Sequence, residues 1–343
     1  MRLGEEALGG AVVVDARPPE SEVVRSGPPR IGTLLVASTG GHLSELVKLA
    51  PRFGLDERPT WVTFDSKQSR VVLAGESTVF ARHTGPRDYV SVVRNADLAR
   101  RLLQRRRVDR VISTGAGIAL SFLPLARAQG IEAHYVESAA RPLAPSLTGR
   151  LLARLPGVRL YTQSPSWADR RWRYAGSVYD GFEPGPASDQ RPRPLRVALT
   201  VGSIRFPFTR LIQRLLAILP KDAEVVLWQV GSTPSPNGRV PVRTSLEPWH
   251  LMGAYADADV VVCHAGVGST LEALDCGHFP LVVPRRAAHG EHIDDHQVQL
   301  AADVAGRGLA LYREAHEITL DDLYEAASRT VLTLPRPPAF ALR

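Results

Sequence analysis

The stretch CHAGVGSTLEALDCGHFPLVVP, Cys263 to Pro284, limits what this chain can fold into more than any other. An apolar run, DVVVCHA, enters a glycine-rich turn, STLEALDCG reads as a helix leaving it, and FPLVVP reads as a second apolar strand. Strands that are apolar without alternation are buried on both faces, as in a parallel sheet. Parallel neighbours need a crossover, and the helix supplies it. The turn also leaves backbone N–H groups free at a helix N-terminus, which suits a phosphate.

The same alternation runs through the chain. IGTLLVAS reads as a strand and TGGH as a turn. LSELVKLAPRF reads as a helix with Leu43, Leu46, Val47 and Ala50 on one face. RPTWVTFD, DRVISTG and IEAHYVES follow as strands, ADLARRLLQRRRV and ALSFLPLARAQG as helices. The proline- and glycine-rich DGFEPGPASDQRPRP, Asp180 to Pro194, interrupts the pattern, which restarts with LRVALTVGS, FTRLIQRLLAIL, AEVVLWQVG and EPWHLMGAYADA. The expected class is α/β, with two Rossmann-like, doubly wound domains facing a cleft. The expected division is a mobile tail over 1–29, an N-terminal domain over 30–180, a linker over 181–194, a C-terminal domain over 195–333 and a tail over 334–343. Ligands of such sheets bind beyond the carboxyl ends of the strands, so the cleft is the expected site.

A length of 343 residues suffices for two domains. The net charge of +7 favours anionic partners such as nucleotides or an anionic membrane surface. No aromatic-interleaved basic stretch or zinc-finger spacing occurs, so no nucleic-acid partner is expected. Cys263 and Cys276 lie in apolar settings, as reduced thiols of a cytoplasmic protein do. No uninterrupted apolar stretch reaches 18 residues, and no transmembrane helix is expected.

LTVGSIRF and HAGVGSTLEALDCGHFPLVVPRRAAHGEHIDDHQVQLA resemble the donor domain of glycosyltransferase family 28, of GT-B architecture. STGGHLSEL, STGAGIALSFLPLA and YVESAARPLAPSLTGRLL resemble the partner subunit of the eukaryotic enzyme that adds the second N-acetylglucosamine to a dolichol-diphosphate sugar. The chain is similar to a fusion of the two subunits of that enzyme, or of bacterial exopolysaccharide glycosyltransferases. More distantly it is similar to the lipid II N-acetylglucosaminyltransferase. The resemblance implies an inverting, metal-independent transfer from a UDP-sugar to a polyprenyl-diphosphate-linked sugar in polysaccharide biosynthesis. It implies no cofactor beyond the UDP-sugar, and a cytoplasmic protein peripheral to the inner face of the cell membrane. Three alternatives stand beside it: a soluble secondary metabolite as acceptor, a nucleotide-sugar epimerase, and a nucleotide-sugar sensor without turnover.

The resemblance also distributes roles. Gly266, Gly268, Ser269 and Thr270, with His264 at the strand end, would hold the donor diphosphate. Glu272 would accept the ribose hydroxyls, although a carboxylate at a helix start also answers the helix dipole. Gly202, Ser203 and Arg205 in GSIRF would form a second clamp. Leu246 and Trp249 in SLEPWHL would border the uracil, and Trp249 equally suits a core. The loop HGEHIDDHQ has histidine spacings that fit a metal. The resemblance gives its Asp295 and Gln297 to sugar hydroxyls instead, and no metal ligand is expected. In the first half, Gly40 and Gly41 would let the backbone approach an acceptor diphosphate. Gly115 and Gly117 would form a second turn, and Arg141 would add charge. The general base would be His42, whose ordinary pKa is near neutrality, or Glu137, at the end of a strand facing the same cleft. LTGRLLARLPGVRLY, Leu147 to Tyr161, is basic and apolar together. It suits an anionic membrane surface or a core helix with a solvated arginine face.

Overall fold

In β1, alternate residues serve opposite faces: Leu34 and Val36 enter one apolar layer, Leu35 and Ala37 another, and none is more than 1% exposed. A strand buried on both sides needs a helical layer on each. The computed structural model describes residues 30–85, 88–105, 107–189, 191–202, 204–234, 242–243 and 248–342, and it has this architecture twice.

The first half runs β1 (Arg30–Ala37), α1 (Gly41–Leu49), β2 (Thr60–Phe64), α2 (Lys67–Val72), β3 (Thr78–Ala81), α3 (Tyr89–Arg105) and β4 (Arg107–Gly115). It continues through α4 (Ala119–Ala128), β5 (Glu132–Val136), α5 (Leu147–Ala153), β6 (Val158–Thr162) and β7 (Trp172–Tyr174). The strands pair in parallel in the order β3-β2-β1-β4-β5-β6-β7. After β8 (Phe182–Ala187) the second half runs β9 (Arg196–Thr200), α6 (Thr209–Ile218), β10 (Glu224–Gln229), β11 (Val242–Arg243), α7 (Pro248–Ala256), β12 (Val260–His264) and α8 (Val267–Asp275). It ends with β13 (Leu281–Val283), α9 (His296–Gly306), β14 (Leu311–Tyr312), α10 (Leu320–Ala327) and β15 (Arg329–Thr333). Here the parallel order is β11-β10-β9-β12-β13-β14. Strand order reverses between β1 and β4 in one sheet and between β9 and β12 in the other, and a crevice opens at such a reversal.

The structure corrects several expectations. The segment read as a linker contains β8, which pairs antiparallel with β15, Pro184 lying opposite Val331. A two-stranded ribbon tolerates prolines because its outer edge needs no N–H donor. The segment read as a tail returns to the first half. There Phe340 is 1% exposed, packs edge-on to Phe53, and donates its N–H to Arg52 O at 2.9 Å. Arg52 in turn donates to Pro338 O at 2.7 Å and to Ser177 O at 2.6 Å. One apolar layer, from Leu43 and Leu46 of α1 to Leu271 and Leu274 of α8, is continuous across both halves. The inward face of α1 carries Leu43, Glu45, Leu46 and Leu49, while Val47 is only half-buried. The basic, apolar stretch 147–161 is not one helix but α5 followed by the buried start of β6. Ser203 and Leu246 lie outside the described residues, and Trp249 falls in α7. Among the described residues no helix is long and apolar enough to cross a membrane.

Candidate active site

The turn between β1 and α1 has Gly40 at φ 82°, a left-handed conformation that glycine adopts at little cost. No side chain caps α1, whereas Ser66, Ser146 and Thr319 cap α2, α5 and α10. Instead Gln68 grips the turn from α2. Gly40 N donates to Gln68 Oε1 at 2.6 Å, and Gln68 Nε2 donates to Gly40 O at 3.2 Å and to Ser44 Oγ at 3.1 Å. The glycine is fixed while the first N–H groups of the helix stay uncovered by any cap.

His42 spans the two turns of this switch point. Its Nδ1 lies 2.8 Å from Thr114 O, and Thr114 Oγ1 donates to His42 O at 2.8 Å. A carbonyl only accepts, so Nδ1 carries the hydrogen and Nε2 keeps its lone pair. Gly115, at φ 105°, makes room for the ring: a Cβ there would lie 3.2 Å from His42 Cε1. Burial, opposed by the Thr114 bond and reinforced by Arg141 and His296, pulls His42 down to about 4. It is therefore neutral at physiological pH, as a proton acceptor must be.

Glu137 differs. It is 1% exposed, and burial raises its pKa. Its Oε1 accepts from Tyr135 OH at 3.1 Å and Ser138 N at 3.2 Å, and its Oε2 accepts from Ser146 N and Oγ, both at 2.9 Å. Helix α5 passes so close that a Cβ on Gly149 would lie 2.3 Å from Oε2. These contacts make Glu137 an anchor for the loop before α5 and leave it no open side towards the cleft.

A second buried carboxylate, Glu45, escaped the sequence reading. Its Oε1 accepts from Ser138 Oγ at 2.9 Å and Ala139 N at 2.8 Å, its Oε2 has no partner among the described residues, and burial pushes it up to about 8. The available signal was its position four residues before Leu49 on the inward face of α1.

In the second half α8 begins after Gly266, again without a side-chain cap. It abuts α1 directly: a Cβ on Gly41 would lie 3.4 Å from Gly268 N, and one on Gly268 3.6 Å from Gly41 Cα. Two helix N-termini, each a partial positive charge, therefore meet, and an anion beside them would be stabilised by both. An ion pair between Lys48 and Asp275 joins the same helices further along. Gly268 and Ser269 are half-buried at the helix start, whereas Thr270 is 1% exposed and faces the interior. The half-buried Glu272 carboxylate meets no hydrogen-bond donor among the described residues, and burial with Asp275 nearby pushes it up to about 7.

His264 fills the crevice between the turns after β9 and β12. A Cβ on Gly202, at φ 70°, would lie 2.6 Å from His264 Cε1, and one on Gly266 2.4 Å from Nε2. Gly266 was read as holding the donor diphosphate and Gly202 as part of a second clamp, and the imidazole supplies a packing reason for each. Burial pulls His264 down to about 3. Arg205 is exposed and lies over the Phe206 ring. Arg285, which the sequence reading missed, is 1% exposed and ties down the same turn, donating to Val201 O and Phe206 O, both at 2.7 Å.

The loop before α9 and the first turn of that helix are pinned at three points. Glu291 takes a two-pronged bond from Arg210 at 2.9 and 2.8 Å. Asp295 Oδ1 accepts from Ala287 N at 2.9 Å, and the buried Gln297 Oε1 accepts from Arg285 N at 3.0 Å. Asp295 and Gln297, assigned to sugar hydroxyls, thus also shape the loop. From the first half, Arg141 reaches across to Asp294 Oδ2 at 2.9 Å. Gly117 lies at the start of α4, beside Thr84.

Residues 196–332 match the glycosyltransferase family 28 C-terminal domain. The UDP-N-acetylglucosamine–N-acetylmuramyl-(pentapeptide) pyrophosphoryl-undecaprenol N-acetylglucosamine transferase of Cupriavidus necator is 30% identical over 158 residues, 43% of this chain and 42% of that protein. The match thus spans less than half the length of that relative. The protein of the same name from Parasynechococcus marenigrum is 26% identical over 312 residues, 83% of this chain and 84% of that one. The crystal structure of Acinetobacter baumannii MurG superposes with a TM-score of 0.52 at 19% identity, covering 85% of this chain and 88% of that one. The glycosyltransferase SnogD from Streptomyces nogalater does so with a TM-score of 0.53 at 18% identity, covering 87% and 93%. The chain therefore has the GT-B fold, and its residues 196–332 match the C-terminal domain of glycosyltransferase family 28.

Proposed function

We propose that the protein is an inverting glycosyltransferase that moves a sugar from a UDP-sugar to a polyprenyl-diphosphate-linked sugar without a metal ion. The observation that carries this reading is the meeting of two uncapped helix starts, at Gly41 and Gly268, inside a family 28 fold. The α8 start would hold the donor diphosphate, with Glu272 on the ribose. The α1 start would hold the acceptor diphosphate. The names of the relatives, which specify a pyrophosphoryl-undecaprenol acceptor, support that choice. The acceptor hydroxyl would attack the anomeric carbon as the bond from that carbon to the UDP oxygen breaks. Its proton would pass to His42 Nε2, and UDP would leave with its new charge facing the α8 N–H groups. Positioning and leaving-group stabilisation supply most of such a rate. Leu143 and Leu147, 61% and 47% exposed beside the exposed Arg150 and Arg154, would rest on the inner face of an anionic membrane that carries the acceptor.

The test is UDP release from a panel of UDP-sugars, with a short-chain prenyl-diphosphate sugar or a soluble glycoside as acceptor, in EDTA. Release that requires the diphosphate-linked acceptor and survives EDTA is expected. Release with the soluble acceptor alone would replace the acceptor assignment, and release only after a divalent ion is restored would overturn the metal-free step.

A further inference from the structure

His292 and Asp294 in the loop before α9 and His296 at the first position of that helix stand at alternate positions, and the structure folds them onto one point. One ligand atom from each lies within 4.8 Å of the others. Asp294 Oδ1 is 3.4 Å from His292 Nδ1 and in direct contact with His296 Nδ1. The two imidazoles meet edge to face with centroids 4.6 Å apart. The other carboxylate oxygen, Oδ2, is taken by Arg141 at 2.9 Å, which turns Oδ1 towards the histidines. Such an outer partner orients a metal-binding carboxylate and keeps it ionised.

The loop is held on both sides of the triplet. Glu291 is locked to Arg210, Asp295 to Ala287 N and Gln297 to Arg285 N. Convergence of the three groups therefore does not depend on their own contacts. The histidine side chains are 13% and 17% exposed and the aspartate 37%, so an ion can reach them. Two imidazoles and one carboxylate are the donor set of three-ligand transition-metal sites, which keep a further position for water or a ligand oxygen.

We propose that His292, Asp294 and His296 form a binding site for a late first-row divalent ion, zinc in type, at the donor-side lip of the cleft. The transfer reaction proposed above uses none of these three side chains, so the site goes beyond that reading and stands or falls apart from it.

The test is titration of the full chain, freed of metal by chelation, with cobalt(II) followed by its visible absorption and with zinc(II) by calorimetry. One ion per chain is expected. His292→Ala and His296→Ala should each weaken binding at least tenfold, about 1.4 kcal/mol. His316→Ala, an exposed histidine elsewhere, should change nothing. Circular dichroism checks that each variant is folded. If the variants fail to fold, copper(II) broadening of imidazole NMR signals in the native chain decides, with those of His292 and His296 expected to broaden first. Absence of stoichiometric binding, unchanged affinity in both histidine variants, or broadening centred on other histidines would overturn the proposal. UDP release is not read, so failure of the transferase assignment leaves this result intact.

Discussion

Each half of the molecule places one imidazole at the reversal of its sheet, and the two are put to different use. His42 is half-buried and leans on the Thr114 carbonyl, which fixes its hydrogen on Nδ1. His264 is 7% exposed and wedged between two glycines that have no room for a Cβ. Burial lowers both, to about 4 and about 3, so a perturbed pKa alone does not single out the proposed base. What distinguishes them is the hydrogen-bond partner and the open side. The same distinction separates Glu137, whose two oxygens accept from four donors, from Glu272, whose carboxylate meets none among the described residues.

The largest effect should come from His42→Ala. A lost general base lowers kcat by about 10²–10⁴ with donor affinity nearly unchanged. The acidic limb of kcat/KM in the wild type should fall near pH 4 rather than near the ordinary histidine value, because the protonated ring has no lone pair to offer. Wild-type kcat in the variant, with an acceptor the native enzyme turns over, would remove His42 from the mechanism. Next is Glu272. UDP affinity should weaken as pH drops through about 7, where the carboxyl gains a proton, loses its charge and can no longer accept from two hydroxyls as a carboxylate does. Loss of such charged bonds amounts to roughly tenfold to a hundredfold. Glu272→Gln should bind weakly at every pH, and a variant with native affinity and the native pH slope refutes the ribose role.

Gly266→Ala sharpens the comparison from the packing side. Its Cβ would fall on His264 Nε2, so a stability loss of about 1–3 kcal/mol is expected by denaturant titration. Adding His264→Ala should recover part of it, and a purely additive pair would show that the ring is not the obstacle. The smallest effect concerns acid. Both histidines are neutral in the fold and have ordinary values near 6.5 when unfolded. Stability is therefore fully present above about pH 6.5 and is lost as pH falls towards about 4 for His42 and about 3 for His264. His264→Gln should lessen that acid slope, and an unchanged slope would assign it to other groups.

The strand and helix alternation was legible because apolar periodicity is a local property, and both glycine turns stand out for the same reason. The choice between His42 and Glu137 was not legible. Both are polar residues at strand ends, and only the position of Ser146 and Gly149 shows that Glu137 is enclosed. Arg285 and Glu45 were overlooked because charged residues are expected outside. Their carbonyl and hydroxyl partners come from distant segments. Gln297 was read through its family role, while its bond to the Arg285 backbone depends on how the loop folds back. The prolines of β8 argued locally for a linker, and only the pairing with β15 overrules them.

The return of Phe340 to the pocket beside Phe53 and Tyr161 has a consequence for how the protein is made. During synthesis the first sheet leaves the ribosome long before the residue that completes its aromatic pocket, and a domain emerging first ordinarily folds first. Here it can do so only with a gap, near Arg52, that the far end of the sequence later closes. That closure is a contact of extreme sequence separation, and its loop entropy must be met before it gives any return. Shortening the chain before Pro338 should therefore slow or loosen the half of the molecule that the deletion does not touch.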